Sequence, residues 1–448
     1  MIRERNNHVT QKRLPLFGKF YEIGSVSKFR AVAICLLWAS ALATVGHATT
    51  IVVNNTNDDG PGSLRQGLVS ASDGDTIDAT GISGVITLAT GELVVNTSVV
   101  INGAGADLLA VDGNAASVVF QISVAKTVTI SGLTMRNGQG NFGGGILNGA
   151  GGALTITNST LSGNTAAFGG GAFNSGTMTI TNSTVSGNTG GEGAGIYNAG
   201  GSVATITDST FSGNTVTQTG GACFNLGTLQ ITNSTFSDNS AAFLAGGVFN
   251  LDTLEIGNTV LNRGDSGVNI YSNGGTVTSL GYNVSSDDAD GFLTGTGDQL
   301  NTDPLLGPLQ NNGGSTFTHA LLPGSPAIDM GDPNFIPPPF FDQRGTGFDR
   351  VVNGRIDVGA FELQTQTAIN LKAAGRKVGG INTVRLTWSG ATSSNIDVFR
   401  DGVLVATVPN TGADTDSTGD TGRARYNYDV CESDSSTCSN NARVTFRQ

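Results

Sequence analysis

Acids and bases are unevenly spread along the 448 residues, and their clustering is where any chemistry has to be sought. Between Asn137 and Leu261 there is no Lys, Arg or His, and the acids there are only Glu192, Asp208, Asp238, Asp252 and Glu255. Residues 303–363, by contrast, carry His319, Asp329, Asp332, Asp342, Arg344, Asp349, Arg350, Arg355, Asp357 and Glu362. Hydrolysis of a glycosidic bond needs two carboxyl groups about 5 to 9.5 Å apart. Elimination from an acidic sugar needs a basic group to take a proton, usually beside acidic Ca2+ ligands. The catalytic candidates are therefore Asp342 and Asp357 as the carboxyl pair, with His319 or Arg344 as auxiliary. The competing reading is structural: Arg344 and Arg355 held by Asp342, Asp357 or Glu362, locking this segment as a cap onto whatever precedes it. A cleft bringing two of Asp329, Asp342, Asp349 and Asp357 within reach of His319 or Arg344 would favour chemistry.

Other reactive groups are sparse. The acidic runs Asp287–Asp290 and Asp414–Asp420 could take Ca2+, but neither has a recognised ligand spacing, so no metal site and no other cofactor is expected. Cys431 and Cys438 lie close together near the C-terminus and suit a local disulfide in an oxidising compartment. The net charge of −12 and the lack of a Lys/Arg cluster exclude a nucleic-acid backbone or an anionic membrane as partner. A surface rich in Ser, Thr, Asn and Gly is compatible with glycans.

The elements that would position these groups follow from a repeat. Ile156–Asn164, Ile180–Asn188, Ile206–Asn214 and Ile231–Asn239 share one pattern, recurring every 24 to 27 residues. Aligned, they give an apolar column Ile130, Ile156, Ile180, Ile206, Ile231, Ile256. Five residues on runs a second: Met135, Leu161, Val185, Phe211, Phe236, Leu261. Alternation with a period of two, broken by Gly-Asn and Gly-Gly pairs, requires short strands. A unit this small cannot bury its own apolar face, so it must stack on its neighbours about 4.8 Å apart. The expected fold is all-β: a right-handed parallel β-helix of about eight coils. Asn164, Asn188, Asn214 and Asn239 form one asparagine column, and Asn148, Asn174, Asn198, Asn225 and Asn250 another; both suit stacked amide ladders. Parity buries Cys223 with Ile146, Ala172, Ile196 and Val248. It turns Leu147, Phe173, Tyr197, Phe224 and Phe249 outward as an aromatic column on which sugar rings could stack. The alternative is that loops cover those rings.

Residues 1–48 read as a signal peptide, with basic residues ending at Arg30, an apolar stretch from Ala31 to Val45 and small residues at Gly46 and Ala48. That stretch is short for a span of about 20 residues, so no transmembrane domain is expected in the mature chain. Residues 49–85 read as an N-terminal cap, with Ser63 capping an amphipathic turn through Leu64 and Leu68. The β-helix is assigned to 86–302 and a closing module to 303–363. Residues 366–448 read as a small β-sandwich: Val384–Trp388 carries a core Trp, and Ile396–Thr407 is a hairpin about Asp401-Gly402.

Several phrases resemble known families. Phe211-Ser-Gly-Asn and Gly170-Gly-Gly-Ala-Phe-Asn resemble the FxxN and GGAI motifs of polymorphic outer-membrane proteins and of pectate-lyase-like β-helices. Gly62-Ser-Leu64-Arg65 resembles the opening of bacterial CSLREA-type proteins. Asp303-Pro-Leu, Asn312-Gly-Gly, His319-Ala-Leu-Leu-Pro-Gly-Ser-Pro-Ala-Ile-Asp329, Asp342-Gln-Arg344-Gly and Asp357-Val-Gly-Ala-Phe-Glu362 resemble the choice-of-anchor Q domain. Residues 366–448 are similar to bacterial fibronectin type III-like domains. These resemblances imply a bacterial secreted or cell-surface protein. Two functional readings remain: a non-enzymatic rod for adhesion or glycan binding, and a polysaccharide lyase or glycosidase acting through loops around 263–357.

Overall fold

The computed structural model describes residues 48–364, 369–391, 393–433 and 438–447. The expected signal peptide, apart from its last residue, lies outside them. No helix among the described residues is long and apolar enough to cross a membrane.

The fold is a right-handed parallel β-helix of about nine turns followed by three small antiparallel sheets, of two, three and four strands. One face of the solenoid is a ten-stranded parallel sheet that begins at Thr50–Val52 and ends at Thr276–Gly281. A second face carries the strands Thr134–Arg136, Thr160–Ser162, Thr184–Ser186 and Thr210–Ser212, and a third the strands Ile146–Asn148, Ala172–Asn174, Ile196–Asn198 and Cys223–Asn225. The ladder begins at Thr50, inside the stretch expected to be only a cap, so there are more coils than the repeat phrase reveals. The early coils keep the inward alternation but lack the Asn-Ser-Thr signature.

Both apolar columns stack in the expected register: Ile130, Ile156, Ile180, Ile206, Ile231 and Ile256 pair in series, as do Met135, Leu161, Val185, Phe211, Phe236 and Leu261. All are buried in one continuous core that also contains Cys223. The asparagines form buried amide ladders. Asn148 Nδ2 donates to Asn174 Oδ1, Asn174 to Asn198, Asn198 to Asn225 and Asn225 to Asn250, each at 2.8 Å. Asn164, Asn188, Asn214 and Asn239 repeat the arrangement at 2.8 to 3.0 Å. Each amide also caps a carbonyl of a neighbouring coil, as Asn188 Nδ2 does for Leu161 O, so the turns leave few buried polar groups orphaned.

Between the second and third faces the chain makes an excursion that the sequence did not announce. Gln139–Phe142, Thr165–Phe168 and Thr189–Glu192 form a short lateral parallel ladder. Its glycines allow close backbone approach: a Cβ on Gly170 would lie 2.5 Å from Thr189 O and 2.7 Å from Ala194 O.

The N-terminal end is closed by the helix Leu64–Ser70, which Ser63 caps by accepting from Gln66 N–H, with Leu64 and Leu68 buried as expected. The other end is closed by the turn around Ala289–Gly291, where Ala289 and Leu293 are buried and Phe292 and Leu300 pack on the core. Residues 303–363 therefore do not cap the last coil as expected. They run back along the outer side of the second face, as described below. In the C-terminal region a three-stranded and a four-stranded antiparallel sheet share one core built from Leu386, Trp388, Val398, Tyr428 and Val444, an arrangement compatible with a small β-sandwich. Asp401 and Gly402 both take positive φ at the hairpin turn, and Cys431 is linked to Cys438.

Candidate functional site

Two places collect the residues singled out from sequence: the seam beneath residues 303–363, and the aromatic column on the third face.

The seam is built on the outward column Thr134, Thr160, Thr184, Thr210, Thr235, Val260 and Val284. The first two are half-buried; Thr184 and those after it are covered. Thr184 donates to Phe317 O at 2.6 Å and Thr210 to Gln343 Oε1 at 2.6 Å, while Thr235 Oγ1 accepts from Ala360 N–H at 3.0 Å. Where the column turns apolar, at Val260 and Val284, the covering residues do too: Leu321, Ala327, Val358 and Phe361. The outer segment is thus matched to the solenoid coil by coil.

Within it, Asp342 is fully buried and binds Arg344 through Nε and Nη2 at 2.6 to 3.2 Å; it also accepts from the backbone N–H of Arg344 and Glu362. The Arg344 guanidinium lies between the rings of Phe348 and Phe361, at 4.0 and 3.8 Å from their centroids. His319 Nδ1 is 2.7 Å from Gly307 O, so that nitrogen carries the proton, and Nε2 accepts from Ser212 Oγ at 2.9 Å. Burial pushes the imidazole below its usual pKa, which keeps it neutral and leaves no free lone pair for general-base work. Arg355 hydrogen-bonds the carbonyls of Gly331 and Met330 rather than an acid.

Of the expected pair, Asp342 is engaged by Arg344, and Asp357 lies in a separate group of acids. Asp357 meets Asp329 and Glu362, with one oxygen of each within 4.8 Å of the others. Asp357 accepts from the N–H groups of Asp329 and Leu363, both at 2.6 Å, and Glu362 from those of Asp357 and Val352. Burial, with the neighbouring carboxylate adding to it, raises Asp357 and pushes Glu362 up to about 8. A cation here would have to share these oxygens with backbone donors. The other acidic runs are similarly engaged. Asp287 accepts from Asn269, Ser285 and Ala289; Asp416 binds Arg400 and Tyr428; Asp420 accepts from Tyr426.

The seam also contains Asp208, which stands where the neighbouring coils have Asn158, Asn182, Asn233 and Asn258, all five in left-handed turns with φ of 46 to 50°. Asp208 is fully buried, and Arg350 Nε approaches its Oδ1 to 3.9 Å. Arg350 is itself fully buried, and its Nη2 donates to Gly359 O at 2.7 Å. Burial outweighs the nearby guanidinium and pushes Asp208 up to about 7. Asp208 thus breaks a column of asparagines, and its partner Arg350 lies far along the chain.

On the third face Leu147, Phe173, Tyr197, Phe224, Phe249 and Tyr271 stack one per coil, outside the main core. Phe173 and Tyr197 are 5.2 Å apart and 9° from parallel; Tyr197 and Phe224 are 4.9 Å apart and 3° from parallel. The column is not exposed throughout. Phe224 and Phe249 each retain only 6% exposure, because Leu226, Leu251 and Ala245 pack around them. Phe173 and Tyr197 are half-buried, and Phe142 and Phe168 of the lateral ladder meet them edge-on at 5.0 and 5.4 Å. The open end of the stack forms a groove of about 690 Å³, in which Phe142, Leu147 and Phe173 are flanked by Asn96, Gln121 and Lys126. Phe142 and Phe168 were missed in the sequence, although their 26-residue separation is that of the repeat.

With this geometry in hand, comparison adds one match: residues 83–303 fit the family described as a right handed beta helix region. No curated protein and no solved structure matches the chain significantly.

Proposed function

We propose that the chain is a secreted or cell-surface, non-enzymatic β-helix of a bacterium that binds glycan. Its groove at Phe142, Leu147 and Phe173 receives sugar rings, and the C-terminal fibronectin type III-like sandwich serves as spacer. The observation that carries this reading is the open end of the ring stack. A continuous run of rings emerges from cover at that point and gains amide side chains and a lysine at its rim. Sugars present an apolar face to rings and hydroxyls to amides, so such a groove suits them. The alternative catalytic reading draws on Glu362, which is held protonated beside Asp357 as an acid–base pair would require. Both groups are buried, at 0% and 1% exposure, and their oxygens accept backbone N–H groups.

The test is retention of the purified protein on a panel of immobilised polysaccharides, with release of reducing ends and growth of absorbance at about 235 nm followed in parallel for unsaturated products of elimination. Retention weakened about tenfold or more by Phe173→Ala, a loss of about 1.4 kcal/mol, with no turnover, is the expected result. Turnover abolished by Glu362→Gln in a folded protein would instead establish the enzyme.

A further inference from the structure

The ten-stranded face carries a feature that the glycan reading does not use. Over four consecutive coils its outward positions are Thr127, Thr129, Ser131; Ala153, Thr155, Thr157; Thr177, Thr179, Thr181; and Val203, Thr205, Thr207. Every one is uncharged, and all are half-buried or exposed, so the sheet is uncovered here. The ladder runs through these coils in strict register, without a bulge. Among the described residues, the hydroxyls of Thr129, Thr155, Thr179 and Thr205 make no hydrogen bond to protein; at the edges of the patch, Ser131 Oγ donates to Asn102 Oδ1 at 2.8 Å and Thr207 pairs with Thr232 at 3.3 Å.

We propose that this threonine face binds ice. A dissolved chain ligand repeats in one direction, whereas this surface repeats in two, along each strand and from coil to coil. Only a crystalline occupant matches both repeats, and the absence of charge suits an uncharged lattice. The coil-to-coil spacing of about 4.8 Å is close to the separation of second-neighbour oxygens in tetrahedral water. Two hydrogen bonds of about 2.8 Å meeting at the tetrahedral angle span about 4.6 Å. Each Thr offers a hydroxyl to such a lattice and a methyl between its rows. Rotamers of β-branched residues in a packed ladder are already restricted, so little side-chain entropy remains to be lost on binding. A crystalline glycan is the less suitable occupant, because this face has no aromatic platform.

Cryomicroscopy of ice grown in a solution of the purified protein tests the assignment. The expected result is faceted crystals and arrested recrystallisation at micromolar protein. Thr179→Tyr with Thr205→Tyr should abolish both effects, and the smaller change Thr179→Val with Thr205→Val should weaken them several-fold, with the unfolding midpoint unchanged in each case. Unshaped ice in the presence of the unaltered protein would overturn the proposal. So would shaping that survives both double variants. Retention on a microcrystalline polysaccharide that disappears in the tyrosine variant, without any effect on ice, would overturn it in favour of a crystalline glycan. None of these substitutions touches the groove at Phe173, so glycan retention there reports separately.

Discussion

The second face of the solenoid has two halves written in nearly the same words. Around Thr134 and Thr160 the outward side chains are half-buried; from Thr184 to Val284 the same column lies beneath residues 303–363. The repeat phrase barely changes between them. What changes is one asparagine of the left-handed column, which becomes Asp208, and the two last threonines of the outward column, which become Val260 and Val284. Docking of the outer segment is thus specified by a few departures from the repeat, and the repeat itself is indifferent to being covered. A buried ion pair of this kind is better suited to fixing register than to adding stability.

Asp208→Asn carries the largest expected effect. It restores the repeat yet, above pH 8 where Asp208 is ionised, strands the Arg350 guanidinium, and loss of one partner of a buried ion pair costs about 3–5 kcal/mol. The matching change in the open half, Asn158→Asp, should alter stability by less than about 0.5 kcal/mol. Denaturant unfolding measures both, and equal costs would mean that the covering segment does not read Asp208.

Asn188→Ala removes the donor to Asn214 and to Leu161 O and the acceptor used by Asn164, all buried. Leaving those groups unpaired should cost about 1–3 kcal/mol, with the core strands still assembled. A neutral result would show that the ladder is decoration.

Acidity offers a reversible probe. Asp208 and Glu362 have raised pKa values in the folded state, to about 7 and about 8. The native protein therefore holds protons that the unfolded chain has lost, and the stability these groups contribute is lost as pH rises through those values. Between pH 6.5 and 9 the two groups together should remove about 3 kcal/mol, at no more than about 1.4 kcal/mol per pH unit for each. Glu362→Gln should flatten the profile above pH 7. His319 works in the opposite sense: its depressed pKa means that its contribution is lost as pH falls below its ordinary value of 6.5. A midpoint that rises between pH 6.5 and 9 would contradict the assignment.

The smallest contrast is Thr210→Val against Thr160→Val. The first leaves Gln343 Oε1 without its donor under cover and should cost about 1 kcal/mol. The second should lie within about 0.5 kcal/mol of zero, because Thr160 has water available.

Much of the solenoid could be read from its period. The isoleucine and asparagine columns are each written as one residue type at a fixed spacing, and stacking forces such positions into register. The helix cap at Ser63 and the Asp401-Gly402 turn were legible because local chemistry determines them. The seam was not, because residues 303–363 carry no period and their partners lie more than a hundred residues away, as Gln343 does from Thr184 and Thr210. Arg344 and Asp342 were visible as a pair two residues apart, whereas the meeting of Asp357 with Asp329 and Glu362 was not, since chain distance says nothing about which loops converge. Outward parity for Phe224 and Phe249 was right about direction, and the stated alternative of covered rings holds for these two, with Leu226 and Leu251 covering them from the adjoining turns.

The outer segment also acts as a ruler. It is fastened near one end where Thr316 donates to Asn182 O, and near the other where Gly359 N–H donates to Asn258 O, and its length between those points is set by its own fold. Coils N-terminal to Asn182 are interchangeable links: excising one whole repeat there would leave both amide ladders in step. Excising one between Asn182 and Asn258 would leave a measuring stick too long for what it measures. Coil number is therefore free to drift on one side of Asn182 and is held fixed on the other.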